Sequence, residues 1–370
     1  MNFYILDGPS GFFEKLGIID TYQSAIWNPM YYGQGAFELT LPITPKHIEL
    51  LQAHRLIIRE SDEVKDGNDF RYNNLMVVKE IQYTHDDENG AIMIVRGVSL
   101  KSYVLGSRVI NEYTVLSGNA EEQIYNVVKD NLESTWYRAW PNLKNAELKH
   151  FTETTELKLF GENIATWMEE TCRRHRFGWD MYILKNDLGF SIYFELYKGE
   201  DRTEGNSKGN IPIIFSKEHD NLVRSELTIN FNDFATNCLV AGTNMPDSED
   251  KWHIMTDYPE GQFFPSREER FEIYLDSGIS PEDVGEQSYR TVLNNAGLQE
   301  LAQRKVISFT AEIVPYGMYT LDKDYFLGDI VEVRTEYGIK AKARIEDIIY
   351  SIDESGTAIV PTFGDWEVIE

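Results

Sequence analysis

Residues 36–42 have the sequence Ala-Phe-Glu-Leu-Thr-Leu-Pro. Phe37, Leu39 and Leu41 alternate with polar side chains. Because successive side chains of a strand point to opposite faces, the stretch predicts a strand with one buried face. Residues 17–32 just upstream are also rich in β-branched and aromatic side chains, and two glycines separate the stretches. Together they predict a β-hairpin.

The rest of the first third continues this β pattern. A short helix is predicted to begin after Thr44, a good N-cap residue that a proline follows. Residues 75–86 and 91–97 form a second predicted hairpin around Asn89-Gly90, a dipeptide that favours tight turns between strands. We therefore expect residues 1–110 to form an N-terminal β-barrel-like lobe, a small and strongly twisted sheet.

The pattern changes to helical spacing in the middle of the chain. Residues 120–133 and 162–175 carry apolar side chains three and four positions apart, which is typical of amphipathic helices. Two strand-like stretches follow, at 177–185 and 189–197. These features predict an inserted α+β domain over residues 111–210.

Strands return in the last third, residues 211–370, which we expect to form a second β-barrel-like lobe. One helix is expected over residues 288–306, within a helix-containing insertion of about 244–306. The predicted strands cover residues 211–216, 222–232, 235–242, 270–275, 306–314, 329–335, 340–350 and 357–362. The order of strands, helices and strands predicts an α+β, mostly β fold.

The charge of the chain limits its partners. With 61 acidic and 35 basic residues, the formal net charge is −26, which disfavours gripping nucleic acid or docking on an anionic membrane. An acidic wall could instead line a passage for DNA and repel its phosphates, although acidity also serves solubility alone. Hydrophobic residues make up 42%, enough for a substantial core.

Targeting and redox signals are sparse. The first residues lack the basic region and apolar stretch of a signal peptide, and no apolar run approaches the ~18 residues that a transmembrane helix needs. The two cysteines, Cys172 and Cys238, lie far apart and indicate no disulfide framework. We expect a chain made in the cytoplasm, in a reducing compartment.

The histidines and cysteines indicate no reactive site. His47 and His54 are seven positions apart and can share a helix face, but suitably placed metal ligands are missing. Cys172 lies three positions before His175, yet it belongs to the apolar stripe of its predicted helix, so core packing is favoured over a nucleophile–base pair. The sequence therefore predicts no catalytic residue, no metal site and no cofactor.

Two other features leave alternatives open. Arg173, Arg174 and Arg176 fall in the last turn of a predicted helix, where cations complement the helix dipole, although they could also bind a partner. Aromatic residues make up 13%, which suits a β core but also a carbohydrate- or receptor-binding module. A cell-wall hydrolase is the third alternative, because a pair of catalytic carboxylates cannot be recognised among so many acids.

Several segments, taken in order, resemble the hub-like tail proteins of long-tailed bacteriophages. The segments are residues 18–42, 75–78 with 95–100 and 108–110, 194–203 leading into 214–216 and 221–222, 237–242, 267–271, 327–331 and 361–364. The run FELYKGEDRT at 194–203 is the most specific of them. The resemblance covers nearly the whole chain.

This resemblance implies a homotrimer whose β-barrel lobes, two related ones per subunit, close into a ring around the tail channel. The ring would form the baseplate hub at the tail tip and take part in host attachment. The partners implied are the distal tail protein, the tape measure protein and a receptor-binding protein or tail fibre. DNA would pass through without specific binding. The implied location is the virion, after assembly in the host cytoplasm.

The residues that carry the resemblance are expected to be structural rather than catalytic. They are Gly199, Asp201, Arg202, Thr203, Phe215, Ser216, Asn221, Gly242, Gly328, Asp329 and Gly364. We expect a turn at Gly328-Asp329 and a turn or bulge at Gly242. Asp201, Arg202 and Thr203 are expected to fix their loop by an ion pair and a side-chain-to-backbone hydrogen bond.

Overall fold

Strands outnumber helices in the computed structural model, which confirms the predicted α+β, mostly β class. The structure describes residues 1–8, 13–67, 69–86, 90–112, 114–133, 137–243, 251–255, 270–304, 307–314, 317–336 and 338–369. The predicted turn residues 87–89 lie outside these ranges.

In the described part of the first third there are nine strands and two short α-helices. They are β1 (Phe3–Leu6), β2 (Lys15–Ile19), β3 (Ser24–Asn28), β4 (Ala36–Pro42), α1 (Pro45–Leu50), β5 (Leu56–Arg59), β6 (Glu63–Asp66), β7 (Asp69–Tyr72), β8 (Met76–Asp86), β9 (Gly90–Ser99) and α2 (Leu100–Leu105). Helix α1 begins as predicted, because the Thr44 side chain accepts a hydrogen bond from the backbone N–H of His47 at 3.1 Å.

The middle of the chain contains the two longer helices that the apolar spacing predicts. Its elements are β10 (Thr114–Asn119), α3 (Ala120–Val128), β11 (Leu143–Asn145), β12 (Thr154–Leu159), α4 (Ile164–His175), β13 (Gly178–Asn186) and β14 (Gly189–Tyr197). Asn163 caps α4 at its start, and Arg176, in the left-handed conformation, ends it.

The last third returns to strands around one long helix. Its elements are β15 (Ile214–Ser216), β16 (Leu222–Ile229), β17 (Asn237–Ala241), β18 (Lys251–Met255), β19 (Glu272–Asp276), α5 (Pro281–Val284), α6 (Glu286–Ala302), β20 (Ile307–Ile313), β21 (Ile330–Arg334), β22 (Lys340–Asp353) and β23 (Gly356–Val368). β17, β18 and β19 form a separate three-stranded sheet, against which α6 packs.

One 13-stranded sheet joins the two ends of the chain. Its main path has the order β16-β20-β23-β22-β3-β4-β9-β8-β5-β1-β2, with β21 pairing β22 and β15 pairing β21. The joint between the two strand-rich parts is the pairing of β22 with β3, in which Tyr350 lies opposite Trp27. The two predicted lobes are thus parts of one sheet, and the described strands do not close into a barrel.

Two five-stranded units within this sheet have the same construction. We call β3, β4, β5, β8 and β9 the first sheet unit, and β16, β20, β21, β22 and β23 the second sheet unit. Across the sheet, the first unit has the order β3-β4-β9-β8-β5, and the second has the order β16-β20-β23-β22-β21. The strands that correspond in space also come in the same order along the chain, and all pairs are antiparallel. Matching the pairing registers gives these equivalent positions: Trp27 and Leu227, Phe37 and Phe309, Gly97 and Phe363, and Tyr83 and Tyr350.

A five-stranded sheet lies in the middle of the chain, with the order β11-β14-β13-β7-β6. Its last two strands come from residues 63–72, so an N-terminal hairpin extends the sheet of the inserted region. Tyr72 pairs with Ile183 in this extension. The division into residues 1–110, 111–210 and 211–370 stays a prediction.

Two large hydrophobic clusters account for most of the core. One packs side chains of the inserted region, such as Trp167 and Trp179, against Tyr31 and Tyr32. The other lies on the large sheet and mixes residues of both sheet units, including Trp27 and Phe363. The two ends of the chain therefore share one core as well as one sheet.

Candidate functional site

Ten of the eleven residues that carry the family resemblance meet in one region. Seven of them lie on residues 199–221, which we call the junction segment. Gly328 and Asp329 lie in the turn just before β21, and Gly364 lies on β23. The segment leaves β14 of the inserted region and enters the second sheet unit at β16. The junction segment therefore connects the inserted region to the second sheet unit.

The Asp329 carboxylate is the centre of this region. It is 2% exposed and accepts three hydrogen bonds, from the backbone N–H of Glu200 at 2.7 Å, from Arg202 Nε at 2.6 Å and from the backbone N–H of Phe326 at 3.0 Å. A buried carboxylate needs such partners, because an unpaired one would be strongly destabilising. Asp329 thus fastens the junction segment to the start of β21.

Two glycines make this contact possible. A β-carbon on Gly199 would collide with the backbone of Gly328, so the two chains approach too closely for any side chain there. Gly328 itself has φ +93°, a conformation that favours glycine, and lies in the predicted turn; its own β-carbon would collide with the ring of Tyr31. Both positions are therefore restricted to glycine by their surroundings.

Arg344 of β22 extends the network beneath this turn. Its Nη1 donates to the Gly328 carbonyl at 2.7 Å and its Nε donates to Asp365 at 2.9 Å. Tyr32 also donates to Asp365, and burial raises the Tyr32 pKa well above its ordinary value. Burial acts to lower the pKa of Arg344, but Tyr32, Tyr31 and Asp365 together outweigh it and raise this pKa, so the guanidinium stays charged.

Gly364 leaves space for the buried Glu346. A β-carbon at this glycine would collide with the Glu346 carboxylate, which accepts a hydrogen bond from Arg173 Nη1 at 3.3 Å. The backbone N–H of Tyr31 donates to the Glu346 carbonyl at 2.8 Å. This glycine therefore supports a contact between α4 and the second sheet unit.

The Asp201-Arg202-Thr203 loop is fixed differently from the prediction. Asp201 Oδ1 accepts from the backbone N–H and the hydroxyl of Thr203, at 2.9 and 2.8 Å, as expected for a local side-chain-to-backbone bond. The ion pair, however, forms between Arg202 and Asp329 rather than within the loop. The sequence did not indicate this partner, which lies 127 positions away.

The end of the junction segment forms a second small network. The Asn221 side chain accepts from the backbone N–H of Ser216 at 2.8 Å and donates to the Ile214 carbonyl at 2.7 Å, and all these atoms are buried. The Phe215 ring packs against Tyr325 and Phe363, with centroids 5.3 and 5.5 Å apart. These contacts hold the turn that leads into β16.

Gly242 is the one residue of the set that lies elsewhere. It follows β17, and a β-carbon there would collide with the Tyr289 hydroxyl of α6. It permits close packing of α6 on the three-stranded sheet. Of the similar segment 267–271, residues 267–269 lie outside the described residues.

The arginine cluster serves internal contacts. Arg173 contacts Glu346 of β22, and Arg174 donates to the carbonyl of Asn295 in α6 at 3.1 Å. Burial lowers the Arg174 pKa to about 10. Two of the three arginines thus link α4 to the last third of the chain, whereas the sequence alone offered helix-dipole stabilisation or a partner site.

The Cys172–His175 pair has the wrong electrostatics for a reactive thiolate. Cys172 is fully buried in the core, and burial raises its thiol pKa. Burial, and then the neighbouring Arg174, lower the His175 pKa to about 4. A catalytic pair needs the opposite shifts, a thiolate beside a protonated imidazole, so core packing describes both side chains.

Lys101 is a buried cation that the sequence did not single out. Its Nζ donates to the carbonyls of Met30 and Trp179 at 2.6 and 2.9 Å, and burial lowers its pKa to about 8. Asp180 lies beside it at a small cavity, and burial raises the pKa of this carboxyl. Lys101 of α2 thus links the residues just after β3 to β13 of the inserted region.

His47 and His54, whose spacing would allow them to share a helix face, have different hydrogen-bond partners. His47 Nδ1 contacts the Pro42 carbonyl at 2.8 Å, and His54 Nδ1 contacts the Tyr103 hydroxyl at 2.9 Å. Within the described ranges, no three His, Cys, Asp or Glu side chains are grouped to hold a metal ion. In the same part of the chain, no helix is both long and apolar enough to cross a membrane.

A family model described as "Siphovirus ReqiPepy6 Gp37-like protein" matches residues 2–365. A search of curated proteins found no relative of the chain.

Solved phage tail proteins share the fold over almost their whole length. The tail protein from Neisseria meningitidis MC58 is 12% identical, with a TM-score of 0.55, and the match covers 99% of this chain and 96% of that one. The 43 kDa tail protein of prophage MuSo2 from Shewanella oneidensis is 11% identical, with a TM-score of 0.57 and 98% coverage of both chains. Prophage tail protein gp18 from Listeria monocytogenes EGD-e is 13% identical, with a TM-score of 0.53 and coverage of 98% and 94%.

Proposed function

The chain belongs to the siphovirus ReqiPepy6 Gp37-like family of phage tail proteins, and on this premise we propose that it is a structural subunit of the tail tip that forms a trimeric ring around the DNA channel. The observation that carries the proposal is the pair of sheet units joined side by side in one chain. Three copies supply six such units.

A ring follows from repeating this contact. Contacts between different surfaces of identical subunits form closed rings when the rotation per subunit completes a circle. In this chain the contact between β22 and β3 already places two similar units side by side. If a similar contact forms between copies, three chains give a ring with approximate sixfold symmetry.

The residues that carry the family resemblance act structurally in this proposal. Asp329, Gly199 and Gly328 hold the junction segment against the second sheet unit, and Arg344 supports their turn from below. Such a rigid connection would keep the inserted region in a fixed orientation on the ring. No step of chemistry is assigned to them, and we infer that the protein is not an enzyme.

The ring would join the distal tail protein to a receptor-binding protein or tail fibre. The tape measure protein would end above it, and the ring would be assembled in the host cytoplasm before incorporation into the virion. The net charge of −26 supports an acidic channel wall, because acidic side chains repel DNA phosphates and ease their passage.

The oligomeric state tests the proposal directly. Light scattering coupled to size-exclusion chromatography should give a particle of three times the 42.8 kDa chain mass, and electron microscopy should show an axial opening. A strictly monomeric chain at high concentration would contradict the ring. A strongly basic channel wall in the reconstructed map would contradict DNA passage without binding.

A further inference from the structure

We propose that the ring is closed by strand pairing between β8 of one copy and β16 of the next, in a register that places Tyr83 opposite Leu227. This inference rests on the proposed trimer and specifies its interface. It follows from the equivalence of the two sheet units and from two strand edges that the chain leaves open.

The contact inside the chain gives the register. At the β22–β3 joint, Tyr350 pairs with Trp27, and the two following residues of β22 pair with the two preceding residues of β3. Tyr83 is equivalent to Tyr350, and Leu227 is equivalent to Trp27, by the pairing registers within each unit. Repeating the joint between copies therefore also places Thr84 opposite Glu226.

Both edges required for this pairing are free among the described strands. β5 covers the outer edge of β8 only at its start, where Met76 and Val77 pair and Val78 makes two further backbone hydrogen bonds. The later part of β8, from Lys79 onward, pairs on one side with β9. β16 is the last strand of the large sheet and pairs on one side with β20.

The side chains of the two edges match in this register. On one face, Ile81 and Tyr83 meet Ile229 and Leu227, and Tyr83 and Ile229 are 54% and 50% exposed in the single chain. Aromatic and β-branched residues are favourable cross-strand partners. On the other face, polar residues meet, and Glu226 has a threonine rather than another carboxylate opposite it.

The charge of this edge permits a second copy as the partner. The chain carries 61 acidic and 35 basic residues, so most surfaces of two copies repel each other. β16, however, carries one arginine and one glutamate and is neutral overall. The β16 edge can therefore approach another acidic chain without placing a cluster of carboxylates against it.

An open β16 edge is also a liability in a lone chain. It is eight residues long and contains no proline or lysine. Its register shift against β20 lies at its start, between Leu222 and Arg224, so the stretch from Ser225 to Ile229 is regular, and Ile229 is 50% exposed. Natural proteins usually protect such edges with lysine, proline, bulges or a covering element, because they pair with other chains. Pairing with β8 of a neighbour removes this exposed edge.

Disulfide trapping tests the register. The double variant Thr84→Cys/Glu226→Cys should, on mild oxidation, give covalent dimers and closed covalent trimers of the full chain on non-reducing gels. Adjacent antiparallel pairs alternate in hydrogen-bonding geometry, so His85→Cys/Ser225→Cys tests the other geometry on the opposite face. At least one of these variants should crosslink.

The matched control shifts one cysteine by two residues on the same face. In Gln82→Cys/Glu226→Cys the cysteines lie out of register by about 7 Å along the strand, beyond the reach of a disulfide without backbone movement. It should crosslink at least roughly tenfold more slowly, because the Cα atoms are too far apart for the bond. The wild-type cysteines, Cys172 and Cys238, are buried and should not contribute.

The outcomes separate this inference from the proposed function. In-register crosslinks between copies, with a slow control, support both. A trimer by light scattering that resists crosslinking in every in-register variant overturns the β8–β16 interface and leaves the trimeric ring intact. Faster crosslinking of the control overturns the register. A monomer at all concentrations overturns both proposals.

Discussion

The first and second sheet units share strand order and register, yet their equivalent strands β3 and β16 have different surroundings. β3 is covered by β22, and its Trp27 is fully buried between Phe3 and Phe37, with ring centroids 5.6 and 5.7 Å away. The equivalent Leu227 lies on the edge strand β16 and is only partly buried. The same backbone arrangement thus supports one internal and one open edge.

The interiors of the two units differ in a complementary way. A β-carbon on Gly97 would collide with the Val77 carbonyl of β8 and with the Phe37 ring, so glycine leaves room for both. At the equivalent position, Phe363 fills the space and packs on Phe309 with centroids 5.8 Å apart. The two units therefore keep the same strand order and register, although the side chains that fill equivalent positions differ in size.

Truncating the covered strand should have the largest effect on stability. Trp27→Ala removes a fully buried indole from the shared core and should lower the free energy of unfolding by about 3–5 kcal/mol. Leu227→Ala at the equivalent edge position should cost about 1 kcal/mol in the monomer, because that side chain is partly exposed. Urea denaturation monitored by circular dichroism measures both.

Equal losses for the two variants would show that the β16 edge is covered even in a single chain. A Leu227→Ala loss that grows with protein concentration would instead locate this residue in the contact between copies.

Removing the junction carboxylate should have the next largest effect. Asp329→Ala leaves Arg202 and two backbone N–H groups without their acceptor and should cost about 3 kcal/mol. The equivalent place before β5 is occupied by Arg55, which contacts Gln52 at the surface. Arg55→Ala should stay within about 0.5 kcal/mol of wild type in the same denaturation experiment. Similar losses would contradict an anchoring role for Asp329.

Acid should destabilise the inserted region through His175 of α4. The folded state keeps His175 neutral, with a pKa lowered to about 4 by burial and by Arg174; Glu153 opposes this shift and Lys198 adds to it. Between pH 6.5 and 4 the unfolded chain therefore binds more protons, and stability is lost as the pH falls. From pH 7 to 5, wild type should lose about 2 kcal/mol more than His175→Gln.

The control for this pH dependence is the exposed His150, replaced by asparagine because its φ is +60°. His150→Asn should follow the wild-type pH profile. If His175→Gln does so too, the histidine is not held neutral in the folded state.

The smallest expected effect compares two equivalent tyrosines. Tyr350 donates to Asp322 at 2.8 Å within the last third of the chain, and its ring lies 4.2 Å from the guanidinium of Arg59 in β5. Tyr350→Phe should cost about 1 kcal/mol, the net value of one hydrogen bond. Tyr83→Phe, at an exposed position, should leave the unfolding midpoint of the monomer unchanged. A larger loss at Tyr83 would reveal a partner for its hydroxyl.

Local signals explain which elements the sequence predicts. The alternation in residues 36–42, the Thr44 cap and the apolar spacing before Cys172 each depend on neighbours within one turn or one strand. The corresponding strand and both helices are present close to their predicted bounds. The long hairpin β22–β23 is also found, and it extends further than the strands predicted at 340–350 and 357–362.

Pairings between distant residues are what the sequence could not provide. β3 could pair with any exposed edge of suitable twist, and nothing near Trp27 identifies Tyr350 as its neighbour. The hairpin β6–β7 is likewise short and polar, and its addition to β13 depends on the inserted region being folded. The alternation of apolar and polar residues shows which face of a strand is buried. Which other strand it pairs with depends on how the whole core assembles.

In the candidate site, too, local features could be predicted from the sequence, whereas contacts between distant residues could not. Its residues were found through their resemblance, and the turn at Gly328 followed from glycine in a loop. The partners of Asp329, and the buried Arg344 and Lys101, have no signal in their own surroundings in the sequence. Buried charged residues are recognised by the groups they face, and those groups lie far away along the chain.

The long separation between the strands of the β22–β3 joint has a consequence for biosynthesis. Tyr350 and Trp27 are roughly 320 residues apart. At about 5–20 residues per second, the ribosome would leave β3 uncovered for roughly 15 to 65 s. During translation, the nascent chain therefore presents at β3 the same kind of unpaired edge that the finished chain presents at β16, and crowded polysomes are where premature pairing between growing chains would begin.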